Sequence, residues 1–213
     1  MSAIRARWNA ALGQLPLVAI LRGLTPSEAV AVGEKLVEAG FRIVEVPLNS
    51  PDPFDSIRRL VDALGDRAIV GAGTVLTVAE VEMLKAAGGQ VCISPNANPD
   101  VIRRARALDL ISFPAFFTAT EAFAAIDAGA DALKLFPAEL AGIKGLKALK
   151  AVLPRAMPVF PVGGVDPGGM EDYLAAGAAG FGIGSAVYKP GDTPDAVFAK
   201  AKVFTDAWAA IRA

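Results

Sequence analysis

Residues 118–139 read Thr118-Ala-Thr-Glu121-Ala-Phe-Ala-Ala-Ile-Asp127-Ala-Gly129-Ala-Asp-Ala132-Leu-Lys134-Leu-Phe136-Pro137-Ala-Glu139. Thr118 and Glu121 have the spacing of a capping box that opens a helix, and Asp127-Ala-Gly129 closes it. The short apolar run 132–136 then reads as a buried strand that ends at Pro137. One helix and one strand thus follow each other within twenty-two residues, and the pattern recurs along the chain. Thr25-Pro-Ser-Glu28 opens a second such helix and Glu38-Ala-Gly40 closes it. β-type runs fall at 17–21, 43–46, 69–71, 91–94, 111–114, 132–136, 159–162 and 180–183. Eight βα units after an opening helix predict a compact (β/α)8 TIM barrel with an N-terminal extra helix; an open doubly wound sheet is the second choice. A last helix over about 193–212 carries Val197, Phe198, Ala201, Phe204 and Trp208 at helical spacing, which suits packing.

The chain has 213 residues, 54% hydrophobic and 20% charged, with 21 basic against 22 acidic side chains. No linker-like stretch divides it, so one domain over 1–213 is expected. The balanced charge offers no basic face for nucleic acid. Its first residues hold no continuous apolar segment for a signal peptide or membrane span, which makes the cytoplasm the expected compartment. Cys92, the single cysteine, lies in Val-Cys-Ile and reads as a core residue. There is no histidine. That removes Ser-His-Asp and Cys-His catalysis, the usual zinc-hydrolase ligand sets and histidine bases, so chemistry falls to carboxylates, lysine, hydroxyls and backbone. No acidic cluster suggests a magnesium site, and neither a metal nor another cofactor is expected.

In a barrel the C-terminal strand ends surround the active site, and the candidates gather there. Lys134 interrupts an apolar strand; burial disfavours an ammonium relative to the neutral amine that attacks carbonyls, although a snorkelling or ion-paired lysine is the bland alternative. Glu45, two residues after Ile43 in the second strand, points the same way by alternation and could pass protons, or could merely pair with Arg22 or Lys134. Gly163-Gly164 and Gly184-Ser185 follow the seventh and eighth strands, where barrels most often hold phosphate; tight turns needing glycine are the alternative. Arg22 and Thr74, after the first and third strands, could hold a carboxylate or phosphate. Pro95 and Phe136 could shape the walls.

The ordered set Ala-Ile-Leu-Arg22-Gly, Val-Glu45-Val-Pro-Leu-Asn49-Ser-Pro, Gly-Ala-Gly-Thr74-Val, Ser-Pro95-Asn, Lys134-Leu-Phe136-Pro-Ala-Glu and Val162-Gly-Gly closely resembles the 2-keto-3-deoxy-6-phosphosugar-acid aldolases over about residues 15–188. The resemblance implies Lys134 as Schiff-base lysine, Glu45 as general acid/base, Arg22 and Thr74 near the pyruvate portion, and the late glycines with Ser185 at phosphate. It also implies a homotrimer that takes a phosphorylated keto-deoxy sugar acid and pyruvate. Pro47, Asn49, Ser50 and Val162 make the chain look like the phosphogalactonate branch: the phosphogluconate branch usually has an arginine at position 49 and a threonine at 162. Both positions are thereby implicated in substrate binding. Residues 115–117 depart from the smaller residues usual in relatives, and their bulk could narrow the pocket. The implied reaction is reversible cleavage of 2-keto-3-deoxy-6-phosphogalactonate to pyruvate and D-glyceraldehyde 3-phosphate. Its rivals are the gluconate epimer, a non-covalent phosphosugar isomerase or epimerase, and a silent phosphosugar-binding barrel.

Overall fold

Every residue of the eight strands is buried, on whichever face its side chain lies. That is the signature of a parallel sheet covered on both sides. In the computed structural model, which describes residues 2–212, the strands are β1 (Leu17–Ile20), β2 (Ile43–Pro47), β3 (Ile69–Gly73), β4 (Val91–Ser94), β5 (Ile111–Phe116), β6 (Leu133–Leu135), β7 (Val159–Pro161) and β8 (Phe181–Ile183). The helices are α1 (Ala3–Gln14), α2 (Pro26–Ala39), α3 (Pro53–Leu64), α4 (Val78–Ala86), α5 (Pro99–Ala107), α6 (Ala119–Asp127), α7 (Ala138–Lys150), α8 (Met170–Ala175) and α9 (Pro194–Arg212). Met1 and Ala213, the ends of the expected 1–213 domain, lie outside the described residues.

All pairings are parallel, in the order β7-β6-β5-β4-β3-β2-β1-β8. A bridge between Val162 and Gly182 joins the two ends. Sequential order with closure is a barrel; a doubly wound sheet would reverse direction at a switch point. Capping boxes open α2 at Thr25–Glu28 and α6 at Thr118–Glu121, as the sequence spacing requires. β5 runs two residues beyond the expected 111–114 because Ala115 and Phe116 pair with Lys134 and Leu135.

Strand alternation divides the core in two. Leu17, Ala19, Val44, Val46, Val70, Ala72 and Cys92 face outward and pack with the helices, as do Leu133, Leu135 and Val159. Burial pushes the Cys92 thiol up to about 12, so it is an inert core residue. Val18, Ile43, Ile69, Val91, Ile93, Ile111, Phe113, Ala132 and Phe160 fill the inside together with Trp8 of α1.

The N-terminal helix is a plug. Trp8 meets Phe113 edge-on at 6.0 Å and Phe160 at 6.5 Å between centroids, and those two rings lie 5.0 Å apart. Arg5 fastens α1 to the barrel: Nε and Nη2 donate to Asp131 Oδ1 and Oδ2 at 2.9 and 3.2 Å, and Nη2 donates also to the Leu110 carbonyl at 3.3 Å. Asp131 accepts in addition from the Ser112 amide at 2.9 Å, tying the starts of β5 and β6 to the same point. Trp8→Ala should therefore lower the unfolding free energy by about 3–5 kcal/mol, the usual cost of deleting a buried aromatic, measured as a lower urea midpoint.

Candidate active site

Going two residues along each strand from the apolar interior layer brings the inward face to the C-terminal mouth. From Ile43 that step reaches Glu45, and from Ala132 it reaches Lys134, so the sheet itself aims both groups inward. Lys134 is 7% exposed. Its strand neighbours are Ala115 and Phe160, and its Nζ stands 5.1 Å from the centre of the Phe136 ring.

Glu45 is 2% exposed, and its Oε2 is buried without a hydrogen-bond partner. Burial raises its carboxyl above the ordinary value of 4.5, while the nearby charges of Lys134 and Arg22 pull in the opposite direction. Those charges reach it without satisfying Oε2, which leaves that oxygen outside any structural pairing. Gly73 makes room for this carboxylate: a Cβ there would lie 2.8 Å from Glu45 Cδ and Oε2. Sequence reading passed over Gly73, because nothing local marks it; its reason is a contact with another strand. Next to it Thr74 adopts φ 59°, a left-handed conformation costly for a β-branched residue and typical of functional strand ends.

A cavity of about 510 Å³ opens beside Lys134. Its lining includes Arg22, Lys134, Phe136 and Val162, and beyond them Gly163, Gly164, Gly184 and Ser185, so eight expected residues meet at one place. It occupies the half of the mouth formed by β6, β7, β8 and β1. Glu45, Asn49, Thr74 and Pro95 are not among its lining residues: Glu45 lies on β2, and the other three follow β2, β3 and β4 on the other half. Asn49 still acts on it, accepting a hydrogen bond from Arg22 Nη1 at 2.6 Å. Residues 115–117 do not line the cavity either. Phe116 turns outward into the helix-packed core, Phe117 is exposed, and only the Ala115 methyl stands next to Lys134.

At the far end Gly163 and Gly164 have φ of 100° and 69°, a left-handed conformation that favours glycine. Gly184 and Ser185 open the turn after β8, and Lys189 on the same loop also lines the cavity. Sequence reading missed this lysine; its only signal is its place in the loop that ends the last strand. Among the described residues no group of three or more His, Cys, Asp or Glu could hold a metal ion, and no helix is long and apolar enough to cross a membrane.

Comparison with known proteins agrees with this geometry. The family described as aldolase, KDPG and KHG aldolase, matches residues 9–197. The 2-dehydro-3-deoxy-6-phosphogalactonate aldolase of Escherichia coli K12 is 47% identical over 195 residues, covering 92% of this chain and 95% of that protein. A probable 2-dehydro-3-deoxy-6-phosphogalactonate aldolase of Rhizobium meliloti is 50% identical over 176 residues, 83% of each chain. A solved structure described as native KDPGal superposes with a TM-score of 0.92 at 46% identity, over 93% of this chain and 97% of that one. The chain therefore belongs to the KDPG and KHG aldolase family, whose members are carbon–carbon lyases.

Proposed function

We propose that this protein is a class I aldolase that cleaves 2-dehydro-3-deoxy-6-phosphogalactonate into pyruvate and D-glyceraldehyde 3-phosphate. The observation that carries the proposal is a buried lysine on the wall of a cavity that ends in two glycine turns, together with a buried carboxyl that has an unpartnered oxygen and feels that lysine's charge.

In this reading neutral Lys134 attacks the C2 ketone, and loss of water gives an iminium. Glu45, directly or through water, takes the proton of the C4 hydroxyl. The C3–C4 pair then moves toward the iminium, the aldehyde leaves and an enamine remains. The acid form of Glu45 returns a proton to C3, and hydrolysis releases pyruvate and frees the lysine. The iminium is the electron sink, so the cycle needs no metal or organic cofactor. Arg22, held by Asn49, takes the carboxylate, with Thr74 and Pro95 flanking that end from β3 and β4. The amides of Gly163, Gly164 and Gly184 take the phosphate together with Ser185 and the charge of Lys189. Phe136 and Val162 form apolar walls; Val162 offers no hydroxyl to the sugar, and the relatives at 47% and 50% identity bear the galactonate name. Turnover of the two epimers side by side decides between them.

A phosphorylated sugar acid is a cytoplasmic metabolite, and the same reading puts the enzyme there as a homotrimer. Exposed Phe117, Phe136, Leu140 and Ile143, at the ends of β5 and β6 and the start of α7, favour association. Light scattering should read the mass of three chains; a monomer would remove that assignment.

Borohydride reduction with pyruvate, followed by peptide mapping, should place a single adduct on Lys134 and none on Lys134→Ala. No adduct on the folded wild type would move the protein to the isomerase or binding reading. Glu45→Gln should still form the adduct while losing turnover by about 10²- to 10⁴-fold, the usual contribution of a positioned acid or base. Because the base is the ionised form and burial raises this carboxyl, the wild-type rate should climb with pH through a limb above 4.5. The residual rate of Glu45→Gln should lack that limb.

A further inference from the structure

The cavity's two ends are carried by different loops. Arg22 lies on the loop after β1, and Ser185 and Lys189 on the loop after β8. These strands are neighbours, but their ladder ends at Ala19 and Ile183, short of both loops. Some other contact must set the distance between them.

Tyr188, only 2% exposed, donates its hydroxyl to Glu28 Oε1 at 3.1 Å. The same oxygen accepts from the Thr25 amide and the Thr25 hydroxyl, each at 2.8 Å, so the acceptor is fixed by the start of α2, directly behind the Arg22 loop. A second contact lies beside it. Gly23 has φ 87°, and a Cβ built on it would fall 2.6 Å from Pro190 Cγ, so the ring of Pro190 rests against this backbone. On its other side the Arg22 loop is tied to the loop after β2, through the Gly23 amide to Ser50 Oγ at 2.9 Å and through Arg22 to Asn49. Burial and then the negative charge of Glu28 push the Tyr188 phenol well up, which keeps it a donor.

We propose that the Tyr188–Glu28 hydrogen bond and the Gly23–Pro190 contact clamp the Arg22 loop to the Ser185–Lys189 loop. The cavity thereby selects ligands whose carboxylate and phosphate are separated as in a six-carbon phosphosugar acid. Tyr188 and Pro190 also line the cavity, but the Tyr188 hydroxyl is turned to Glu28 and the Pro190 ring to Gly23, so these residues act by positioning the two loops. The inference rests on the assignment of Arg22 to the carboxylate and of the later loop to the phosphate. Misplacement of binding groups by about 1 Å can cost up to about 10²-fold, so a loosened clamp should be measurable.

Tyr188→Phe removes only the hydroxyl. Calorimetric titration with 6-phosphogluconate, a two-ended acid that has no ketone for Lys134, should show affinity about tenfold weaker than wild type, within that range. Inorganic phosphate affinity and the rate of pyruvate trapping, each of which needs one end, should stay unchanged. KM for the phosphorylated substrate should rise in parallel, with kcat little altered. Pro190→Ala, at an exposed position, should shift two-ended binding in the same direction and decides the matter if Tyr188→Phe does not fold. Unchanged 6-phosphogluconate affinity in the folded variants would overturn the clamp, as would an equal loss for phosphate and pyruvate. Failure of wild-type pyruvate trapping with a normal 6-phosphogluconate response would instead remove the aldolase chemistry and leave the clamp standing.

Discussion

Two ionisable groups, Lys134 and Glu45, are held inside a barrel whose other interior side chains are almost all apolar. Removing charge from water is costly unless each group finds bonded partners, and Oε2 of Glu45 has none. The surroundings accommodate the cost. Gly73, having no side chain, leaves room for the carboxylate, Thr74 takes a strained turn directly after it, and the Phe136 ring lies with its face toward the Lys134 nitrogen. Each departure from local preference lies within one layer of the barrel mouth. Stored strain and poorly satisfied polar atoms are tolerated where chemistry needs them and the rest of the fold over-determines the geometry.

The opposite end supplies that determination. Trp8, Phe113 and Phe160 close the floor with interlocking rings, and the Arg5–Asp131 contacts pin α1 to the starts of β5 and β6. Phe160 is also the strand partner of Lys134. The plug and the lysine therefore meet on adjacent strands at one register position. Barrels commonly divide stability and chemistry between their two faces; here one residue of β7 belongs to both.

Much of this was legible because burial leaves a simple mark on short strands. Lys134 and Glu45 stand out as the polar members of apolar runs, and counting by twos from Ala132 and Ile43 gives their direction without any structure. Helix starts at Thr25 and Thr118 could be read for a similar reason, since a capping box lies within four residues. What escaped depends on contacts between distant segments. Gly73 answers a carboxylate on another strand, Lys189 gains its meaning only once the loops converge, and Tyr188 meets Glu28 across 160 positions. Thr74 and Pro95 were candidates for the mouth because they follow strands, and Asn49 because relatives carry an arginine at its place, yet none of the three lines the cavity. Strand ends form a full circle, however, and order along the chain does not tell which half opens. The effect of residues 115–117 was hidden for a related reason: bulk matters only where it reaches the cavity, and none of the three lines it.

The raised carboxyl of Glu45 also joins stability to activity. In the unfolded chain this group titrates near its ordinary value, whereas burial makes the folded protein hold the proton to higher pH. Between those two values the folded state binds more protons than the unfolded one, so stability must fall as pH rises through that window. Below the window both states carry the protonated acid, and Glu45 contributes no penalty. Above it the folded protein contains the buried carboxylate, the form that acts as base, and the loss of stability is complete. Activity that depends on this base thus grows over the same interval in which Glu45 weakens the fold. Lys134 and Arg22 limit the conflict by drawing the carboxyl back toward ionisation, and the aromatic floor stabilises the barrel from an end that this titration does not reach.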